Sequence, residues 1–313
     1  AVGYLALCSN TTGNYSTAVG TKSLYTNTTG NNQAFGSFSL NKNTAGAQNA
    51  AFGAQALYCN TTGNANTAAG FCALGNSTTA SENVAVGQRA LLTNTTGACN
   101  VAVGSSALRL NTTGHSSVAV GFEAAKNNTT AAYNTVVGAC AMFCNTTTGD
   151  ASVAIGFKAL HTNSTGKCNN AVGFCALASN TSGCFNTASG YRALASNTTA
   201  KYNAAFGSST LTANVTGTQN SAFGYSALKC NTCGGYNVAV GTSSMYFNTT
   251  GIKNTAVGHT TLVCNTTGNY NTAIGNKALC CNTTGTLNTA SGSYALTNNT
   301  TGLRNTASGY RAE

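Results

Sequence analysis

The feature that most constrains this sequence is a glycine that returns about every seventeen residues from Gly3 to Gly309. Each of these nineteen glycines, called anchor glycines here, closes a short segment of the Ala-Val-Gly type. Sixteen of the eighteen intervals between them are seventeen residues long, while the interval after Gly20 is sixteen and the interval after Gly138 is eighteen. A short, nearly constant period indicates a solenoid, in which each repeat packs only against its two neighbours.

The repeat itself is typical of β-structure. Its consensus is Asn-Thr-Ala-Val-Gly-x-x-Ala-Leu-x-x-Asn-Thr-Thr-Gly-x-x, and residues 271–287 follow it closely. Seventeen residues cannot hold two helices and a turn, whereas residues 237–241 alternate with period two and include β-branched side chains. We therefore predict an all-β fold, a parallel β-solenoid of about eighteen repeats, with two short strands per repeat and a spacing of about 4.8 Å. This single repetitive domain would cover residues 1–313, with a repeat cut in the middle at each end.

The composition agrees with a fold that has few large side chains in its interior. Only 6% of the residues are charged, Pro and Trp do not occur, and Gly, Asn, Thr and Ala dominate. Proline would remove a hydrogen-bond donor from a strand ladder, so its absence suits a continuous sheet. Since no apolar run reaches eighteen residues, we predict no membrane span.

The formal net charge of +10 favours acidic partners, but the fourteen Lys and Arg residues are spread along the chain without a cluster. This distribution argues against nucleic-acid binding, which uses a basic patch or stripe. A diffuse attraction to anionic polysaccharide or other glycans is the partner class that the charge supports.

Two positions of the repeat behave as interior positions. In nearly every repeat, the residue two before the anchor is Ala and the residue four after it is Leu or Met. A small side chain opposite a large one can fill a repeat at normal packing density. The residue just before the anchor varies, as at Val120, Phe206 and Ser189, and faces away from the Ala by alternation. This half-apolar stripe predicts lateral association, most simply as a homotrimer; the alternative is a wider cross-section that buries it.

Residues 254–262 read Asn-Thr-Ala-Val-Gly-His-Thr-Thr-Leu and resemble the head repeats of trimeric autotransporter adhesins, with residues 153–156, Val-Ala-Ile-Gly, as the closest segment. The Asn-Thr-Thr-Gly segments are also similar to repeat tracts of phage tail fibres and related secreted bacterial proteins. The resemblance implies a parallel β-roll, often trimeric, that extends or displays at a surface. The period of seventeen is longer than that of the adhesin heads.

The Asn-Thr-Thr-Gly segment recurs once per repeat, and sixteen of its eighteen copies contain an N-glycosylation sequon, Asn-x-Ser/Thr. The candidate asparagines are Asn10, Asn27, Asn60, Asn76, Asn94, Asn111, Asn128, Asn145, Asn163, Asn180, Asn197, Asn214, Asn248, Asn265, Asn282 and Asn299. Occupied sequons would line one edge with sugar. The alternative is that these are corner residues, because Asn accepts left-handed backbone, Thr hydroxyls stack between repeats and Asn side chains form ladders.

The fourteen cysteines predict disulfides in a protein exposed to an oxidising environment. Cys264 and Cys281 occupy the same position of adjacent repeats, where a spacing of about 4.8 Å lies within disulfide range. Cys168 and Cys184 are one position apart in neighbouring repeats and form a second candidate pair. Free thiols are the alternative for each pair.

No catalytic constellation is visible in the sequence. His115, His161 and His259 occupy different positions of distant repeats, and no two of the four acidic residues occupy the same position of adjacent repeats. A paired-carboxylate site or a Ser-His-Asp triad needs such groups close together. We therefore predict that the chain is not an enzyme and has no catalytic residue, metal site or cofactor.

These observations favour an extracellular structural fibre or filament subunit at a cell or virion surface, glycosylated at its sequons and assembling end to end, laterally or both. The alternative is an adhesin or a phage-type receptor-binding fibre segment that forms a homotrimer. Phe157, Phe174 and Tyr191 occupy one position in three consecutive repeats. They would bind sugar or a partner in the second case, or else form an aromatic ladder within the chain.

Overall fold

The computed structural model describes residues 1–145 and 149–313, and it confirms the predicted fold class. These residues form no helix; their regular structure is a parallel β-solenoid with one three-residue strand per repeat and a period of about seventeen residues. The strands are β1 (Thr17–Val19), β2 (Gln33–Phe35), β3 (Ala50–Phe52), β4 (Thr67–Ala69), β5 (Val84–Val86), β6 (Val101–Val103), β7 (Val118–Val120), β8 (Thr135–Val137), β9 (Val153–Ile155), β10 (Asn170–Val172), β11 (Thr187–Ser189), β12 (Ala204–Phe206), β13 (Ser221–Phe223), β14 (Val238–Val240), β15 (Thr255–Val257), β16 (Thr272–Ile274), β17 (Thr289–Ser291) and β18 (Thr306–Ser308).

The chain divides into two compact units, Ala1–Ile155 with β1 to β9 and Gly156–Glu313 with β10 to β18. Within each unit, every strand pairs in parallel with the strand of the next repeat. The register joins equivalent positions, since Val84 pairs with Val101 in the first unit and equivalent residues of β15 and β16 pair in the second. Equivalent side chains therefore stack in columns, one column for each position of the repeat.

Three columns of apolar side chains fill the interior of each unit. The Ala two residues before the anchor and the Leu or Met four residues after it are buried, as the sequence predicts; Ala85 and Leu91 have no exposed surface. A second Ala column, three residues after the anchor, is also buried, as at Ala90. Small side chains on both sides leave room for the Leu column, and burying one Leu contributes about 1.5–3 kcal/mol.

The prediction of two strands per repeat is wrong, because the segment after the anchor is a series of turns. The residues two and four after the anchor have positive φ, with 57° at Arg89 and 50° at Leu91. This left-handed conformation does not fit a β-strand and costs an L-residue roughly 1–2 kcal/mol. Hydrogen bonds between repeats help to offset that cost: Leu91 N–H donates to Ala107 O at 3.0 Å, and Arg89 N–H donates to Phe71 O at 2.9 Å.

The anchor glycines are required by backbone conformation and by space. Gly53 has a φ of 130°, and a Cβ built on it would lie 2.8 Å from the carbonyl carbon and oxygen of Gly70 in the next repeat. Only glycine adopts this conformation without strain and leaves room for the neighbouring backbone. The recurring glycine thus lets one repeat stack directly on the next.

The two repeats of unusual length differ from the others at the Asn-Thr-Thr-Gly corner. The sixteen-residue repeat has one residue fewer between Gly30 and the asparagine before β2, and Gly30 takes a φ of 94°. The eighteen-residue repeat has one extra Thr, and its residues 146–148 lie outside the described residues. Because β1 still pairs with β2 and β8 with β9 in the usual register, the corner absorbs the change in length.

Candidate functional site: the outer strand face

The strands build one continuous exposed surface in each unit. The first and third residues of every strand point away from the buried middle residue, and their two columns are called the outer strand face here. The third residue, which precedes the anchor, is Val, Phe or Ile in most strands; Val86 is 39% exposed and Ile274 is 47% exposed. The predicted outward stripe is therefore confirmed, and the alternative of a wider cross-section that buries it is wrong.

The outer strand face carries no charge. None of the eighteen strands, all within the described residues, contains Asp, Glu, Lys or Arg, and the polar residues on the face are Thr, Ser, Asn and Gln. Strands β5, β6 and β7 each read Val-Ala-Val, so the face is most apolar there. An exposed apolar surface of this extent is typical of a surface that meets a partner.

Aromatic side chains on the face stack on one another. The rings of Phe35 and Phe52 have centroids 5.2 Å apart and planes within 7°, and those of Phe206 and Phe223 have centroids 5.0 Å apart and planes within 4°. Each ring covers a face of its neighbour, because successive repeats lie about one strand spacing apart. These rings therefore add apolar bulk to the surface in matched rows.

The aromatic column just after the anchor is a ladder within the chain. Phe174 stacks between Phe157 and Tyr191, with centroid distances of 5.3 and 5.4 Å and interplanar angles of 25° and 15°. All three rings are 41–50% exposed, yet both faces of Phe174 are covered by its neighbours. Since a sugar ring packs against an open aromatic face, this column offers ring edges and not a row of sugar platforms.

A ladder of buried asparagines forms the core of the Asn-Thr-Thr-Gly corner. Asn111 Nδ2 donates to Asn94 Oδ1 at 2.8 Å and to Gly114 O at 2.9 Å, while Asn111 Oδ1 accepts from Asn128 Nδ2 at 2.9 Å. In the second unit, the same Nδ2–Oδ1 ladder is continuous over residues 163–299. Hydrogen bonding within and between corners, which is the alternative to glycosylation, therefore accounts for the recurring asparagine without a glycan.

Two further rows of hydrogen bonds support the corner. The first Thr of most segments bonds across repeats, as where Thr95 Oγ1 donates to Thr112 O at 3.0 Å. A second asparagine column lies immediately before the strands, where Asn83 Nδ2 donates to Asn66 Oδ1 at 3.1 Å. Our sequence reasoning missed this second ladder, although the Asn that recurs before most strands was a visible signal.

The corner ladder of the first unit is interrupted at one repeat. There Ser77 occupies the ladder position, and the asparagine has moved back by one residue to Asn76, which is exposed. Among the described residues, the buried atoms Asn60 Oδ1 and Ser77 Oγ have no hydrogen-bond partner. The ladder therefore breaks between Asn60 and Asn94.

The structure places most sequon asparagines inside the protein. Thirteen of the sixteen candidates are buried, Asn10 and Asn299 are half-buried, and Asn76 is exposed. The sequon of Asn145 includes residues outside the described part of the chain. A glycan would be attached to Nδ2, the atom that donates the ladder hydrogen bonds, so a modified asparagine would have to leave its ladder. Glycosylation stays a prediction, and Asn76 is the one exposed asparagine among these sixteen candidates.

None of the fourteen cysteines, all of which lie within the described residues, forms a disulfide in the structure. The candidate pair Cys168 and Cys184 is not aligned by the register: Lys167 N–H donates to Cys184 Sγ at 3.4 Å, so Cys184 stacks on Lys167. The other candidate pair, Cys264 and Cys281, lies in a small thiol cluster with Cys280, whose backbone oxygen accepts from Cys264 N–H at 3.1 Å.

Burial and the neighbouring thiols oppose ionisation in this cluster. Burial, followed by the charges of Cys281 and Cys264, raises the pKa of Cys280 to about 11. Burial also raises the pKa of Cys264, and Cys281 adds to that shift. A protonated thiol is a poor nucleophile, which slows disulfide formation at neutral pH. Both disulfides therefore stay predictions.

The groups that a catalytic or metal site would need are dispersed. Over residues 1–145 and 149–313, no group of three or more His, Cys, Asp and Glu side chains could hold a metal ion. His115 packs edge-on against Tyr133, with ring centroids 4.9 Å apart. In the same described residues, no helix is long and apolar enough to cross a membrane. The absence of enzymatic activity stays a prediction.

Comparison with models of known protein families finds no match, and comparison with curated proteins finds none either. The resemblance to autotransporter adhesin heads and tail-fibre repeats therefore rests on the repeat motif alone. By its structure, the chain is a parallel β-solenoid with a seventeen-residue repeat and an exposed, uncharged strand face.

Proposed function

We propose that this chain is a structural segment of an extracellular fibre at the surface of a cell or virion, and that copies of it associate laterally through the outer strand face. The observation that carries the proposal is the outer strand face itself, which is exposed, rich in Val, Phe and Ile, and free of charge in all eighteen strands. Lateral contact would remove this apolar surface from water at about 25 cal/mol per Å².

Periodicity favours a second copy of the chain as the partner. Each repeat adds one row of side chains at a spacing of about 4.8 Å, and only a surface with the same spacing can match it row by row. A second copy of the chain has the same repeat spacing, because it has the same sequence. Rows of identical side chains between parallel sheets can pack into a dry interface. Because the face is uncharged, contact there brings no like charges together, although the chain carries a net charge of +10.

Sedimentation velocity on the purified chain tests this proposal. Wild-type protein should sediment as dimers, trimers or larger assemblies. The double variant Val86→Lys with Val103→Lys places two ammonium groups on the outer strand face of adjacent repeats, and we expect it to sediment as a monomer. A charge without a partner inside an interface costs several kcal/mol, which exceeds what two Val side chains contribute.

A matched control adds the same charge elsewhere in the same repeats. Thr79→Lys with Thr96→Lys changes the exposed second Thr of two corners, and this variant should associate like the wild type. A wild-type chain that stays monomeric at every concentration measured would contradict the proposal. A discrete trimer would favour the adhesin-type arrangement, and electron microscopy of larger assemblies would separate lateral from end-to-end growth.

A further inference from the structure

The division of the chain into two units reveals a charge asymmetry that the sequence alone does not show. Residues 1–155 contain five Lys or Arg and three acidic residues, whereas residues 156–313 contain nine Lys or Arg and one acidic residue. The formal excess is therefore two positive charges in the first unit and eight in the second. Most of the net positive charge therefore lies in the second unit.

In the second unit, one column of side chains carries strong hydrogen-bond donors at six of its nine positions, the other three being Cys168, Phe185 and Leu287. The column lies twelve residues after each anchor, and its members take φ values from 55° to 60° at the corner that leads into the strand. The donors, called the donor edge here, are Tyr202, Gln219, Tyr236, Lys253, Tyr270 and Arg304. All six side chains are exposed.

The cation at the centre of the donor edge is held in place by its neighbours. Lys253 Nζ lies 5.9 Å from the ring centroid of Tyr236 and 5.1 Å from that of Tyr270. It also donates to Tyr270 Oη at 3.3 Å. Cation–π contacts of this kind fix an ammonium group without neutralising it. Lys201, exposed and adjacent to Tyr202, adds a further positive charge at the same edge.

The equivalent column of the first unit has a different character. It contains Glu82 and no Lys or Arg, and Glu82 Oε2 accepts a hydrogen bond from Cys99 Sγ at 3.4 Å. The donor edge, by contrast, contains no carboxylate side chain. A row of donors and cations without carboxylates is complementary to a row of anions.

We infer that the donor edge of the second unit is a binding site for a linear anionic polysaccharide, whose sulfate or carboxylate groups contact Lys201, Lys253 and Arg304. These three residues lie three repeats apart, which corresponds to intervals of roughly 14 Å at a spacing of 4.8 Å per repeat. The Tyr and Gln side chains between them donate to hydroxyl and ether oxygens of the sugar. None of these residues belongs to a strand of the outer strand face.

A single-stranded nucleic acid fits this edge less well. Its bases bind by stacking on open aromatic faces. Here Phe185 and Tyr202 stack on each other with centroids 5.3 Å apart and planes within 4°, and Lys253 occupies the space between Tyr236 and Tyr270. The rings therefore present edges and hydroxyl groups, which suits a hydroxyl-rich polyanion.

Biolayer interferometry on the full chain tests the inference, with heparin, polygalacturonate and dextran as sulfated, carboxylated and neutral probes. We expect binding to heparin or polygalacturonate and none to dextran. The triple variant Lys201→Gln, Lys253→Gln, Arg304→Gln should weaken binding about tenfold or more, since several exposed charge contacts are lost together. Binding should also weaken as salt is added.

The decisive control removes the same number of charges from the same unit at another edge. Lys158→Gln, Arg192→Gln and Lys277→Gln lower the net charge equally and should leave most of the affinity in place. Equal weakening by both triple variants would show a diffuse attraction and would overturn the site, as would tighter binding of oligothymidylate than of either polysaccharide. Circular dichroism of each variant confirms folding, and sedimentation of the same samples keeps this result separate from self-association.

Discussion

A ladder asparagine engages both ends of its side-chain amide, so its neighbours depend on it. Asn111 satisfies Asn94 on one side and Asn128 on the other, and it also closes its own corner through Gly114. A buried donor or acceptor without a partner costs about 1–3 kcal/mol. The ladder therefore makes each corner part of a chain of bonds that extends over many repeats.

The gap in the ladder allows a gain-of-stability prediction. Ser77→Asn would supply Nδ2 to the unpartnered Asn60 Oδ1 and Oδ1 to Asn94 Nδ2, and we expect the free energy of unfolding to rise by about 1 kcal/mol. The opposite change, Asn111→Ala, should lower it by about 3 kcal/mol because two ladder partners lose their bonds. Denaturant unfolding followed by circular dichroism measures both.

Asn76→Ala is the control for these variants, because Asn76 is exposed and lies outside the ladder. Its effect should stay within about 0.5 kcal/mol, as is usual for surface substitutions. If Asn111→Ala were no more destabilising than Asn76→Ala, the ladder would not contribute to stability as described.

At the scale of the element, the turn at the anchor glycine determines whether repeats can stack. We expect Gly53→Ala to lower the midpoint of thermal unfolding by several degrees, because the new Cβ would meet the backbone of Gly70 and the φ of 130° would be strained. Gly75→Ala is the matched control: Gly75 has no left-handed φ, and its column carries side chains in other repeats, as at Tyr58. Similar midpoints for the two variants would contradict this role.

The sequence predicts much of the repeat, because comparing equivalent positions of successive repeats indicates which side chains are buried. The Ala and Leu columns and the corner segment were visible because they keep nearly the same residues from repeat to repeat, and the outward stripe followed from alternation along the strand. The number of strands was not, because Arg89 and Leu91 are ordinary L-residues with no preference for positive φ. That conformation arises from burial and inter-repeat hydrogen bonds, which a single repeat cannot reveal.

The candidate surfaces were predictable to different degrees, because some depend on the local sequence and others on how the repeats stack. Alternation along a strand is local, so Val86 could be assigned to an outer face. A sequon asparagine and a ladder asparagine have the same sequence, so the burial of Asn111 required the corner geometry. The donor edge was invisible as a cluster, because Lys253 and Arg304 are far apart along the chain and become one column when repeats stack.

At the scale of the whole molecule, stability is a sum over repeats and the contacts between neighbours. Deleting residues 88–104 removes one complete repeat from the first unit and joins equivalent positions, so the remaining strands should keep their register. We expect a cooperatively folded chain whose thermal midpoint falls by only a few degrees. Circular dichroism during heating provides the measurement.

Deleting residues 88–96 is the comparison, because it removes part of a repeat and leaves a remnant too short to complete a turn of the solenoid and stack on its two neighbours. This shorter deletion should be far more destabilising than the longer one. If the two deletions were equally harmful, the repeat would not be the unit of folding.

The continuous ladder of the second unit also gives that unit an electrical direction. In all eight bonds over residues 163–299, the amide nitrogen donates to the asparagine of the preceding repeat, at 2.8–3.0 Å. The side-chain dipoles therefore point the same way, and bonds in such a series polarise one another. The electrostatic field of these aligned dipoles acts differently on a parallel neighbour and on an antiparallel one. The buried row of amides can therefore bias the relative orientation of two copies, even though their outer strand faces carry no charge.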